Sequence, residues 1–179
     1  MKQSANQIFT FMHVVAWVVF IGKCIKTGSL VFSTIISIFI NPTATKDLYL
    51  GLNLSALYET NTWYYIAIVS LIIFISAMQA YLFYLLIKIF SKLNLVQPFS
   101  NEISKLISKI SYVALDIGIL SIIANGFSKW MIKREISIYN ANEYLGGAIE
   151  YLLLAGIIFT IAQIFKRGVE IQNENELTV

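Results

Sequence analysis

Charged side chains are scarce in this sequence: they make up 13% of 179 residues, where ordinary soluble domains carry about a quarter. The formal net charge is only +3. Direct nucleic-acid binding, which needs a concentrated basic face, is therefore not expected. One cysteine, Cys24, excludes an internal disulfide framework and any multi-cysteine metal site. One histidine, His13, excludes histidine-rich metal sites. Two prolines and nine glycines exclude collagen-like and low-complexity classes. Catalytic templates are missing as well. The chain has no glycine-rich phosphate loop, no metalloprotease helix motif and no serine set between the glycines of a nucleophile elbow. Serines are so plentiful that pairing any one of them with His13 carries no specificity. The expectation is a protein without enzymatic activity or cofactor.

What the chain has instead is apolar length. Hydrophobic residues reach 58%, and the mean hydropathy is +0.72. Four apolar blocks run from Ile8 to Ile40, Tyr64 to Phe90, Leu106 to Met131 and Leu145 to Phe165. About 20 helical residues cross the hydrocarbon of a bilayer, so the blocks predict an all-α integral membrane four-helix bundle, with residues 1–179 forming one domain. The expected spans are 8–27 (continuing to 40), 64–88, 106–130 and 145–165, followed by a tail over 166–179. Lys2 ahead of the run from Ile8 to Gly22 resembles a secretory signal, but no small-x-small cleavage site follows. Lys23 occupies the position before Cys24 where lipoprotein processing requires a small residue. The segment reads as an uncleaved first span.

Lys23 and Lys26 interrupt the first block, and Leu30 to Ile40 is too short to cross alone. One long helix protruding from the membrane is the first reading, and a helix broken near Gly28 the second. The two lysines would snorkel to the far interface. Ser29, Ser33 and Ser37 recur at intervals of four, which places them on one face for close packing. Asn41-Pro42 ends the helix. Residues 43–62 form a loop whose leucines and tyrosines lie against membrane or bundle, and Trp63, Tyr64 and Tyr65 open the second span as an aromatic belt. With both termini inside, seven lysines and arginines (Lys2, Lys88, Lys92, Lys105, Lys109, Lys166 and Arg167) are cytoplasmic and four (Lys46, Lys129, Lys133 and Arg134) are outside. This bias favours that orientation. Pro98 stops the second helix, and Ser100 is suited to cap the third near Asn101.

Few residues here carry chemistry. Asp116 lies near the middle of span three, so it is expected to face the bundle, find a partner such as His13, or be protonated. A proton relay is one reading and a buried structural hydrogen bond the other. Glu150 lies early in span four, where pairing with Lys23 or Lys26 competes with separate snorkelling of each side chain. Ala114 with Gly118, Ser76 with Ala80, Gly146-Gly147 and Ala155-Gly156 let helices approach closely.

The C-terminal part is the most distinctive. It begins at Tyr144-Leu145-Gly146-Gly147 and ends with Phe165-Lys166-Arg167-Gly168, then Val169, Glu170, Ile171, Glu174, Glu176, Leu177 and Val179. Together with Gln97-Pro98-Phe99-Ser100, it resembles the bacterial membrane family catalogued as domain of unknown function 2975. The resemblance implies a four-span inner-membrane protein without assigned activity, often encoded beside a small helix-turn-helix transcription regulator. It implies no catalytic residue. It directs attention to two partner-docking elements, the Pro98-Phe99-Ser100 loop and the tail carrying Val169, Glu170, Ile171, Glu174, Glu176, Leu177 and Val179. Gly168 is expected to end the last helix or bend it. The leading functional expectation is a membrane component that binds a cytoplasmic DNA-binding regulator. A small transporter or channel subunit using Asp116, and a structural bundle, are the alternatives.

Overall fold

Both prolines, Pro42 and Pro98, fall outside the apolar blocks, so nothing removes a backbone donor from the helices. A computed structural model describes residues 2–93, 99–136, 138 and 141–176. Four long helices dominate: α1 (Lys2–Phe39), α3 (Thr62–Lys92), α4 (Asn101–Ile132) and α6 (Ala148–Glu176). The short α2 (Ser55–Thr60) and a 3-10 turn (Pro42–Lys46) lie between α1 and α3, and the short α5 (Ala141–Leu145) lies between α4 and α6. No strand occurs among the described residues. Each long helix contains a stretch apolar and long enough to cross a membrane. Their 29–38 residues correspond to about 44–57 Å of helix, against about 30 Å of hydrocarbon.

The outward faces carry the same message. Ile8, Phe11, Val14, Val18, Ile21 and Ile25 are all exposed along α1, as are Ile149, Leu153, Ile157 and Ile164 along α6. A soluble monomer rarely leaves so continuous an apolar surface to water. Lipid is the solvent that accepts it.

α1 is continuous through Gly28, as the first of the two readings has it. One glycine costs a helix only about 1 kcal/mol, and the Thr27 hydroxyl donates back to the Lys23 carbonyl at 2.9 Å. α4 starts where Ser100 is expected to cap it: the serine Oγ accepts from the Ile103 N–H at 3.2 Å. α6 does not stop at Gly168. The helix runs on to Glu176, because the expected terminator keeps helical geometry and Phe99 lies against it.

The chain divides into two compact units. The first comprises 1–20, 81–116 and 149–179. There Phe9 meets Phe90 edge to face at 5.6 Å, and Phe20 meets Tyr84 at 6.1 Å, so α1 and α3 run antiparallel. Ile103, Ile107 and Ala162 form its core, with Ile89, Leu106, Ile158 and Phe165 packed around them. The Ser111 hydroxyl donates to the Ala155 carbonyl at 3.2 Å and ties α4 to α6.

The second unit comprises 21–80 and 117–148. Its connection between α1 and α3 is a folded cap: Leu48, Leu52, Leu54 and Leu57 are fully buried. Asn41, Asn53 and Asn61 each accept backbone N–H bonds two residues ahead and so start the 3-10 turn, α2 and α3. Leu50 and Gly51 take positive φ of 45° and 90°, and Asp47 accepts the Gly51 N–H at 2.9 Å to hold that turn. The Ser37 hydroxyl meets the buried Tyr65 hydroxyl at 2.6 Å. This fulfils the packing expected of the serine face at one of its three positions.

Candidate functional site

Lys23 and Lys26 define the most unusual chemistry within the second unit. The Lys23 ammonium donates to Gln79 Oε1 at 2.7 Å. One turn further on, Thr27 Oγ1 and Ser76 Oγ share a hydrogen bond of 2.8 Å. The Lys26 ammonium lies 5.0 Å from the centre of the Tyr144 ring, a cation–π contact. The Tyr144 hydroxyl in turn donates to the carbonyls of Tyr49 and Leu50 at 2.8 and 3.0 Å. Asn125 completes the set by donating to the Leu145 carbonyl at 3.0 Å.

This arrangement corrects two expectations. Expected to snorkel to the far interface, Lys23 instead reaches across to a side chain of α3. Gln79 stands roughly 13 residues, or about 20 Å, before the end of α3 at Lys92, so the ammonium is held at the middle of that helix. A carboxylate partner for Lys23 or Lys26 is also missing among the described residues. An amide and an aromatic face are the partners found, where pairing with Glu150 was one of the two readings. Sequence reasoning missed Gln79 and Asn125, and it read Ser76 only as a packing residue and Tyr144 only as part of the family resemblance. Gln79 left a signal, being the one amide within the apolar run from Tyr64 to Leu86.

In the first unit, His13 does not pair with Asp116. Its Nε2 accepts from the Trp17 indole N–H at 3.1 Å and lies 3.5 Å from the Ser91 hydroxyl. Asp116 is exposed, and no hydrogen bond or ion pair of its carboxylate occurs among the described residues. The expectation that it faces the bundle is overturned by helical register. Ile110, Val113, Ala114 and Ile117 fill the buried side of α4. At about 100° per residue Asp116 points about 110° away from the centre of that side, onto the exposed flank of the helix. Glu150 is likewise exposed, in the first turn of α6. It lines a groove of about 410 Å³ with Leu82, Phe83, Tyr151 and Leu154.

The basic end of this unit holds the elements expected to dock a partner. Phe99 packs on Phe165 with ring centres 5.3 Å apart. It also covers Gly168 so closely that a Cβ there would lie 2.5 Å from the ring. Val169 is buried, while Ile171 stays 46% exposed. Arg167 pairs with Glu170 at 2.9 Å, and Lys92 pairs with Glu102. Lys88 and Lys109 lie over the rings of Tyr84 and Tyr81 at 4.7 and 5.3 Å. Pro98, Leu177, Val179 and the side chain of Glu176 lie outside the described residues. Among the described residues no three histidine, cysteine, aspartate or glutamate side chains converge as metal ligands.

Four lipid-suited helices with polar side chains bonded between them define a multi-pass helical membrane protein. The family profile described as "Protein of unknown function (DUF2975)" matches residues 49–179, and the chain belongs to that family. No curated protein and no solved structure matches the chain.

Proposed function

We propose that this is a non-enzymatic protein of the bacterial inner membrane, with both termini cytoplasmic, that holds a helix-turn-helix DNA-binding regulator at the membrane surface. The observation that carries this reading is the seating of Phe99 on Gly168 and Phe165. It turns a charged C-terminal stretch, of the kind that ordinarily frays, into a continuation of α6 through Glu176. The continued helix buries Val169 and presents Ile171 outward on the same segment as Glu170 and Glu174. An ordered helix with an apolar anchor and acidic neighbours is a docking element that loses little entropy on binding. The nature of the partner rests on the family resemblance, whose members are often encoded beside such a regulator. The excess of lysine and arginine at the Lys92–Arg167 end supports its cytoplasmic placement.

Co-purification tests this directly. The intact protein in detergent should retain the regulator encoded beside it, and a chain ending at Glu170 should retain much less. Equal recovery by both chains would remove the tail from any docking role.

A further inference from the structure

The groove around Glu150 presents chemistry that partner docking does not use. Leu82 and Phe83 lie roughly ten residues from Lys92, about 15 Å along α3 and hence about half of a hydrocarbon thickness from its basic end. Glu150 lines the groove with these residues and is exposed, and it lies within the stretch of the last helix that is long and apolar enough to cross a membrane. No hydrogen bond or ion pair of this carboxylate occurs among the described residues. Its place in the first turn of α6 suits a negative charge, since the helix dipole is positive there. Every other lining side chain is apolar or aromatic: Leu82, Phe83, Tyr151 and Leu154. The volume of about 410 Å³ lies within the range of small-molecule sites.

The geometry points to a binding site for lipophilic organic cations that enter from the lipid phase. A carboxylate in hydrocarbon is costly without a countercharge, and a strongly hydrated ion would have to shed its water among leucine and phenylalanine side chains. An organic cation with delocalised or shielded charge avoids that cost. It buries apolar groups against Leu82 and Leu154, places its charge by Glu150, and meets the ring faces of Phe83 and Tyr151. These residues are separate from Phe99, Gly168 and the tail, so the site stands or falls apart from regulator binding.

The test uses the full chain in nanodiscs of phosphatidylcholine, with equilibrium dialysis of tetraphenylphosphonium and of tetraphenylborate, which has the same shape and the opposite charge. Saturable binding of the cation and not the anion is expected. Glu150→Gln should weaken cation binding at least about tenfold, because it removes the charge and keeps the shape. Leu154→Trp should weaken it by filling the groove with the carboxylate intact, which guards against misfolding of the first variant. Glu59→Gln, an exposed acid on α2, should change nothing. Undiminished binding in the Glu150→Gln and Leu154→Trp variants, equal binding of tetraphenylborate, or no saturable binding of the cation would overturn the proposal.

Discussion

Replacing Gln79 by leucine should destabilise this protein, and adding Lys23→Met should largely restore it. The Lys23 ammonium donates to Gln79 Oε1 at 2.7 Å, with Gln79 itself buried. A hydrogen bond to a charged group contributes about 1.5–3 kcal/mol. Lys23 is half-buried, so a loss of about 2 kcal/mol is expected when leucine removes the acceptor and leaves the ammonium without it. Lys23→Met alone leaves a neutral amide short of one partner, at about 1 kcal/mol. The double variant leaves no polar group unmatched and should lie within about 1 kcal/mol of the native chain. The two single losses together exceed that of the double variant, giving a coupling of roughly 2 kcal/mol. Unfolding in mixed micelles by titration with dodecyl sulfate, followed by helical circular dichroism, measures all four chains. Single effects that simply add to within about 0.5 kcal/mol would refute the reasoning, because the two groups would then not depend on one another.

Gly168→Val should cost about 1–3 kcal/mol by overpacking, since its Cβ would press on the Phe99 ring; the same titration measures it, and protease sensitivity beyond Arg167 should rise. Tyr144→Phe removes the hydroxyl that holds the Tyr49 and Leu50 carbonyls, so a cysteine placed at Gly51 should react faster with a thiol reagent, while the Lys26 contact to the ring persists. Impermeant labelling in intact cells should modify cysteines placed at Thr43 or Glu59 and leave those at Ser4 and Asn173 protected; modification at Asn173 would reverse the proposed orientation.

The spans were legible because lipid imposes a length that few sequences meet by accident, and the start of α4 because Ser100 precedes a donor that needs satisfying; the turns started by Asn53 and Asn61 lay in a stretch that reads as a loop. The direction of Asp116 was harder to read. Hydrophobic contrast fails on a helix such as α4, where buried Ile110 and Ile117 and exposed Ile119 and Ile122 are chemically alike. Size carries the signal instead. Ser104, Ser111, Ala114, Ser121, Ala124 and Ser128 are all buried, and this stripe of small residues marks the helix-facing side. Asp116 is off that stripe. The depth of Lys23 was not legible at all. The apolar run from Ile8 to Gly22 placed it at an interface, but hydropathy does not encode which residue of α3 stands opposite. Gln79 supplies that register only once the helices are packed.

The exposure of Asp116 leads to a prediction opposite to the usual one for a carboxylate within a membrane helix. Were it a buried partner or a relay group, replacing it would break a bond and destabilise the bundle. On the outward face of α4, with no such bond to break among the described residues, it contributes only the cost of its own placement. On insertion scales that cost is about 2.5–3.5 kcal/mol for an aspartate at mid-helix, reduced where the side chain reaches water or headgroups. Asp116→Leu should therefore be neutral or stabilising by up to about 3 kcal/mol in the dodecyl sulfate titration, and Asp116→Asn should fall between it and the native chain. If the proposed regulator is the partner, both variants should still co-purify it, because the Phe99 and Gly168 contact is untouched. A loss of stability in Asp116→Leu would show that the carboxylate is bonded after all. A proton-coupled flux in liposomes that vanishes in Asp116→Asn would replace the regulator-binding reading with that of a transporter.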